Sequence, residues 1–299
     1  DLGVMLSASH NPMPDNGIKL FARGGGKLDD AIEDQIQKRM QEPWDRPTGR
    51  NVGRVIEDTE AANRYIAHLL STATEKLTGL KVVVDCANGA ASFVAPETLR
   101  RAGAEVIAIA NTPDGWNIND GVGSTHLDFL KDAVKKHGAD LGIAHDGDAD
   151  RCFVVDEQGG IVSPSTLTAL IAKRELAKHP GSTIIHNLIT SWSVAEVVRE
   201  NGGIPVRTRV GHSFIKATMA ETNAVFGGEH SGHFYFRDFW RADSGMLAAL
   251  HAMAALGETP AGTKLSDLLT SYQRYVESGE INSRVENAAE IVAAIKAEF

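Results

Sequence analysis

The chain has 299 residues, 42% of them hydrophobic, and a formal net charge of −9, with a sequence pI near 5.7. That is apolar material for a sizeable core and a prior of about two domains; the acidic balance argues against a general nucleic-acid surface but leaves room for anionic substrates in a local basic pocket. No apolar run approaches the roughly 18 residues that span a bilayer, and no basic-plus-apolar leader opens the chain, so neither a membrane span nor a secretory signal is expected.

In chain order, residues 2–6 read as a buried strand that enters the polar turn Ser7-Ala8-Ser9-His10-Asn11-Pro12. Asn16-Gly17 is a strong turn signal, so Lys19 opens the next strand, close to the first. Residues 42–53, with Pro43, Pro47 and Gly49, form a polar break. Beyond it the pattern alternates: strand 80–86 closed by Asn88-Gly89, helix 90–102, strand 105–109, helix 127–137, strand 140–144 and strand 152–156. A Gly-rich hairpin or linker at 158–164 leads to helix 165–178, strand 182–186, helix 191–201, strand 204–208 and helix 212–222. Residues 257–262 are a further break, and 288–299 carry a helical pattern with no stop signal. Strands alternating with helices of this length predict βαβ units and an α/β class. Cys86 and Cys152 lie in apolar strand-like runs and read as buried thiols of a reducing compartment; the cytoplasm is the expected location.

Four segments carry chemistry. Asp146, Asp148 and Asp150 alternate and are followed at once by Arg151. Carboxylates so close repel unless a cation sits among them, and three of them suit a hard ion with room for a phosphate oxygen. A calcium loop fits the acids at 146, 148, 150 and 157, but its sixth position should be glycine and is Arg151, and the flanks read as strands. Arg151 stands ready to grip another phosphate oxygen. Ser9 offers a hydroxyl in a restricted turn before Asn11-Pro12, with His10 and Lys19 as cations near it; a solvated Lys19 and a plain turn are the alternatives. Gly227-Gly228-Glu229-His230-Ser231-Gly232-His233 brackets a carboxylate, a hydroxyl and two imidazoles with glycine, as a sugar-reading loop would; zinc on the two histidines is the rival. His212 follows Gly211 at a helix start, where an anion is welcome.

In this order the segments resemble the α-D-phosphohexomutase family: its serine loop looks like residues 7–12, its metal loop like 146–151 and its sugar loop like 228–233. The resemblance implies consecutive mixed α/β domains around a cleft: the end of domain 1 at 1–56, domain 2 at 57–158, domain 3 at 159–272 and the start of domain 4 at 273–299. It also implies a piece of a longer chain, truncated at both ends, with the domain 4 phosphate loop missing and activity impaired. Residues 1 to about 150 look most like phosphoglucosamine mutases; from Cys152 on the chain looks like bacterial phosphomannomutase/phosphoglucomutase, which implies a hybrid.

What the family does is then expected here. Ser9 would carry a phosphoryl group, with Ser9, Asp146, Asp148 and Asp150 on Mg2+ and Arg151 and His10 nearby. Lys19 would give the proton, and His212 would serve as partner base or phosphate contact. Glu229 and Ser231 would hold ring hydroxyls, supported by His233. A hexose 1,6-bisphosphate would act as activator, and sugar phosphates would be the partners, with no nucleic acid and no membrane; oligomeric state is not legible. Glu229-His230-Ser231 looks like the mannose/glucose type, since phosphoglucosamine mutases usually carry glutamine in the middle. Mannose or glucose phosphate is therefore the expected substrate, glucosamine phosphate the alternative. A passive sugar-phosphate-binding fragment is the alternative of another class.

Overall fold

The computed structural model describes residues 2–26, 28, 30–72, 77–277, 279, 281 and 283–298, with only the backbone of residue 30. It opens on an antiparallel hairpin of β1 (Gly3–Leu6) and β2 (Ile18–Phe21), in which Met5 faces Lys19. Helix α1 (Asp30–Arg39) follows. The expected burial of residues 2–6 is not met: Val4 is 58% and Leu6 79% exposed. The reason is the sheet itself, which has two strands, so its outer apolar side chains are not covered by any described residue.

Helix α2 (Ala61–Thr72), which periodicity did not reveal, leads to the first large sheet. It contains β3 (Lys81–Asp85), α3 (Ala91–Arg101), β4 (Glu105–Ile109), α4 (Asp128–His137), β5 (Leu141–Ala144), β6 (Phe153–Asp156) and β7 (Ile161–Val162). Strand order is β4-β3-β5-β6-β7, with β3, β4 and β5 parallel and the last two antiparallel. The sheet therefore runs on to Val162, and a division at 158 falls within the β6–β7 turn.

The second sheet is built from α5 (Pro164–Lys178), β8 (Thr183–Asn187), α6 (Trp192–Glu200), β9 (Ile204–Thr208), α7 (His212–Thr222), β10 (Phe226–Gly228), β11 (Phe234–Phe236) and β12 (Ala242–Asp243). Its order is β12-β11-β10-β8-β9, with β8, β9 and β10 parallel. Helices α8 (Gly245–Gly257), α9 (Leu265–Leu269) and α10 (Ala288–Glu298) complete the chain; Phe299, the last residue of the expected terminal helix, lies outside the described residues. The mixed α/β class is as expected. Gly227 and Gly228, expected in a loop, lie in β10. A Cβ on Gly228 would come 2.4 Å from Thr168 Oγ1, so glycine is what lets α5 lie flat on the strand.

One apolar cluster runs through both sheets. Val82, Val84 and Val154 join Ile184, Phe226 and Phe234 through α5 and α8, whose side chains are buried nearly all round. Cys86 and Cys152 are free and buried within it, as expected. Among the described residues no helix is long and apolar enough to cross a membrane.

Within α8, His251 is largely enclosed, its side chain 11% exposed. Arg174 Nε lies 3.4 Å from its Nδ1, Glu175 Oε1 lies 3.5 Å from its Nε2, and Phe236 stacks on the ring at 5.4 Å. Burial, with the charges of Lys178 and Arg174, holds it well below the usual histidine range. An unfolded histidine titrates near about 6.5. The unfolded state thus binds the extra proton, and this site's contribution is whole above about pH 6.5 and is lost as pH falls below it. Thermal unfolding should accordingly shift to lower temperature between pH 7 and 5, with a smaller slope in His251→Gln; an unchanged slope would refute the assignment.

Candidate active site

The aspartate loop leaves β5 at the carboxyl end of the parallel strands, and the sugar-loop candidate leaves β10 at the corresponding end of the second sheet. Crevices at such ends are where open α/β sheets place ligands. An isolated β-bridge between Arg151 and His233 ties the two loops together. The β1–β2 hairpin lays the serine turn on the aspartate loop.

Ser9 sits in the left-handed region, φ 53°, which turns its hydroxyl toward Asp146: Oγ donates to Oδ2 at 2.9 Å. The turn is held from below by Asn119, whose Nδ2 donates to the carbonyls of Ser9 and Asn11, both at 2.9 Å. Ser7 Oγ accepts from Ser9 N at 2.9 Å and donates to Asp148 Oδ2 at 2.6 Å. Gly147 makes the approach possible, since a Cβ there would meet Ser9 O at 2.5 Å. His10 Nδ1 lies 3.5 Å from Ser9 Oγ.

Carboxylate oxygens of Asp146, Asp148 and Asp150 lie within 4.8 Å of one another. Lys19 Nζ donates to Asp148 Oδ2 at 2.7 Å and to Asp150 Oδ2 at 3.1 Å. Arg151 donates from its backbone to Asp146 Oδ1 at 3.2 Å, and its Nε is 3.5 Å from Oδ2. Burial and the charges of Asp150 and Asp148 push Asp146 up to about 7. Burial works against both partners of the lysine contact, yet Asp150 and Asp148 hold Lys19 above its usual range, and His233 with Lys19 holds Asp150 below its own. Burial, then Arg151 and His233, lowers His10.

The triplet fits a hard divalent cation on two counts. Asp148 Oδ1 and Asp150 Oδ1 are buried with no hydrogen-bond partner. Asp150 Oδ1 has His233 Nε2 at 3.4 Å, a contact too loose to count as a hydrogen bond, and Arg151 Nε lies 3.3 Å from the same nitrogen. Each orphaned oxygen is a coordination position left over once lysine and serine have been served. The flanks are strands, not the helices of a calcium loop.

Across the cleft, Glu229 is 1% exposed. Its Oε1 accepts from Gly211 N at 3.1 Å and Asn187 Nδ2 at 3.4 Å, and its Oε2 accepts from Tyr235 OH at 2.8 Å. Ser231 Oγ is 3.0 Å from His233 Nδ1. His230 turns away to Ser165 Oγ at 3.0 Å, so the two loop histidines do not share a zinc. His212 lies edge-on to His233, ring centroids 4.3 Å apart, within the cluster His212, His233 and Asp243. Lys216 Nζ sits 3.3 Å from Asp243 Oδ1 and offsets that charge. All the expected residues thus gather in two facing groups, Ser9, His10, Lys19, Asp146, Asp148, Asp150 and Arg151 on one side and His212, Glu229, Ser231 and His233 on the other. Sequence reasoning missed Ser7, Asn119, Tyr235 and Asp243. Ser7 stands two residues before Ser9 and could have been found by that spacing; Tyr235 is hidden in the apolar run Phe234-Tyr235-Phe236.

Comparison with known proteins follows the same division. The family model for phosphoglucomutase/phosphomannomutase matches as domain I over residues 1–45, domain II over 63–160 and domain III over 163–275. A phosphoglucosamine mutase of Thermobifida fusca is 45% identical over 304 residues, covering 99% of this chain and 67% of the relative. One of Saccharopolyspora erythraea is 47% identical over 276 residues, covering 92% of this chain and 62% of the relative. The chain thus spans about two thirds, or somewhat less, of the length of these relatives, and the first alignment crosses both halves of the sequence. Among solved structures, a phosphoglucomutase/phosphomannomutase family protein from Burkholderia thailandensis superposes with TM-score 0.80 at 31% identity, over 92% of this chain and 59% of that one. A protein titled as a putative phosphomannomutase from Thermus thermophilus, at 22% identity and TM-score 0.77 over 91% of this chain and 62% of that one, shares the fold. The chain belongs to the α-D-phosphohexomutase family.

Proposed function

We propose that this chain carries the phosphoryl-transfer centre of a phosphoglucosamine mutase, which interconverts glucosamine 6-phosphate and glucosamine 1-phosphate through a phosphoserine and a hexose bisphosphate. The observation that carries the reading is the contact of Ser9 Oγ with Asp146 Oδ2 at 2.9 Å, which puts a hydroxyl beside the acidic triplet. Ser9 bears the phosphoryl group, and hexose 1,6-bisphosphate is the compound that would load it. Asp146, Asp148, Asp150 and the oxygen on Ser9 would hold Mg2+, which when bound offsets phosphate charge and fixes one of its oxygens. The transferred group spreads negative charge over three oxygens, so positioning and cations supply most of the rate. Lys19 and Arg151 bring two such cations to the site, and His10 a third group able to take a proton. Lys19, held charged by Asp148 and Asp150, delivers the proton, and His212 acts as its counterpart as base or phosphate contact. Ser231 and Glu229 meet ring hydroxyls, each with acceptor capacity left beside its present bonds, and His233 fixes Ser231. The buried free thiols Cys86 and Cys152 support a cytoplasmic setting.

Relatives named phosphoglucosamine mutase favour glucosamine phosphate over the mannose or glucose phosphate first expected from the loop. A second reading, mannose or glucose phosphate, keeps one specific support. His230 holds the middle of the sugar loop and is fastened to Ser165.

Incubation with hexose bisphosphate labelled in its phosphates should place label on the Ser9 peptide. Ser9→Ala should remove it, and Lys19→Met should slow it on the order of a hundredfold. Excess chelator should abolish uptake; undiminished uptake would sink the metal assignment. Binding without label would support the passive reading. Chase of labelled Ser9 by glucosamine, mannose and glucose 6-phosphates separates the substrate readings, glucosamine being expected fastest. Gly147→Ala should cut labelling by about tenfold or more while the far-ultraviolet circular dichroism stays unchanged, because its Cβ would wedge against Ser9 O.

A further inference from the structure

We propose that Tyr235 is a positioning residue, whose hydroxyl fixes the proton of His212 on Nδ1 and couples that imidazole to the sugar-reading carboxylate of Glu229. This deepens the mutase reading and rests on it for its catalytic consequence.

The direction of the protons follows from counting donors. A tyrosine hydroxyl has one proton. Glu229 Oε1 accepts Gly211 N–H at 3.1 Å and Asn187 Nδ2 at 3.4 Å, the pattern of an acceptor-only carboxylate, and Oε2 receives Tyr235 OH at 2.8 Å. The phenol proton is thereby committed to Glu229. Tyr235 OH is also 2.7 Å from His212 Nδ1. At that distance the remaining proton must come from the histidine, so Nδ1 donates to the phenol oxygen. Asp243 Oδ2, 3.5 Å from the same nitrogen, adds a second acceptor on that side. Nε2 is left as the atom with a free lone pair. Burial, with the charges of Asp243 and Glu229, keeps the phenol well above its usual range, so it stays an O–H donor.

The scaffold suits the task. Tyr235 is fully buried in β11, paired with Gly227 of β10, and its ring meets His212 edge-on at 5.8 Å. Lys216 Nζ, 3.3 Å from Asp243 Oδ1 and 5.7 Å from the Tyr235 ring centroid, offsets the carboxylate charge. Three elements, the loop after β10, β11 and the start of α7, thus meet at one oxygen. A sugar oriented through Glu229 meets a base whose tautomer is already set, which is the same demand that makes the wrong tautomer costly in histidine catalysis generally.

Tyr235→Phe keeps the ring and removes the hydroxyl. In the full chain with 15N-labelled histidine, nuclear magnetic resonance should show His212 as the Nδ1–H tautomer, and Tyr235→Phe should move it toward Nε2–H. An unchanged tautomer overturns the proposal. This readout needs no turnover, so it judges Tyr235 even where labelling of Ser9 fails and the mutase reading falls. In the chase of labelled Ser9, Tyr235→Phe should lower the saturating rate about tenfold with little change in half-saturation, and should do nothing further in a His212→Asn background. An equal loss in both backgrounds shows a merely structural role and overturns the coupling.

Discussion

Three carboxylates, Asp146 buried and Asp148 and Asp150 partly buried, confined within 4.8 Å of one another are the constraint around which the chain is arranged. At an effective dielectric near about 20, each like-charged pair at such a distance repels by about 3 to 4 kcal/mol. Nothing in the strands that flank the loop relieves this, for they are apolar. Relief comes from far away in sequence, Lys19 from β2 and Ser7 and Ser9 from the turn after β1, and from the next residue along, the guanidinium of Arg151. The hairpin has little core of its own, and these polar contacts are what fasten it to the first sheet. The same bonds that neutralise the triplet therefore carry the reactive hydroxyl to it, and stability and chemistry draw on one set of contacts.

The opposite wall is organised on a different principle. Glu229 and Tyr235 are enclosed, and their polar atoms are satisfied within the protein rather than held out toward solvent. The aspartate side leaves two carboxylate oxygens without a partner; the sugar side presents defined donors and acceptors. A phosphate suits the first and a polyhydroxylated ring the second. Arg151 belongs to both, through Asp146 on one hand and His233 on the other.

Much of this was legible in residue pattern. Strands β3 to β6, β8 and β9 and helices α3 to α7 follow from alternation of apolar runs with amphipathic stretches, because each buries one face; β7 lies in what reads as a hairpin or linker. Helix α8 did not announce itself, since it is buried on every side and has no polar stripe to set a period. Strand β10 is hidden by its two glycines, of which Gly228 admits α5, and the apolar residues of β1 predict burial while saying nothing about whether a partner layer is present. The alternating aspartates were readable because like charges at that spacing demand a cation. Asn119 and Asp243 were not, for each acts across a gap in sequence that no local pattern encodes: Asn119 on a turn more than a hundred residues earlier, Asp243 on a helix start thirty residues before it.

The continuity of the apolar cluster bears on what the units of this chain are. Family models recognise two segments that meet near residue 160, yet Val154 of one sheet, Phe226 and Phe234 of the other and Leu167 of α5 lie in the same dry interior. Melting either sheet would wet the other. Two segments recognised separately thus share one apolar interior, which couples the unfolding of each to exposure of the other's core.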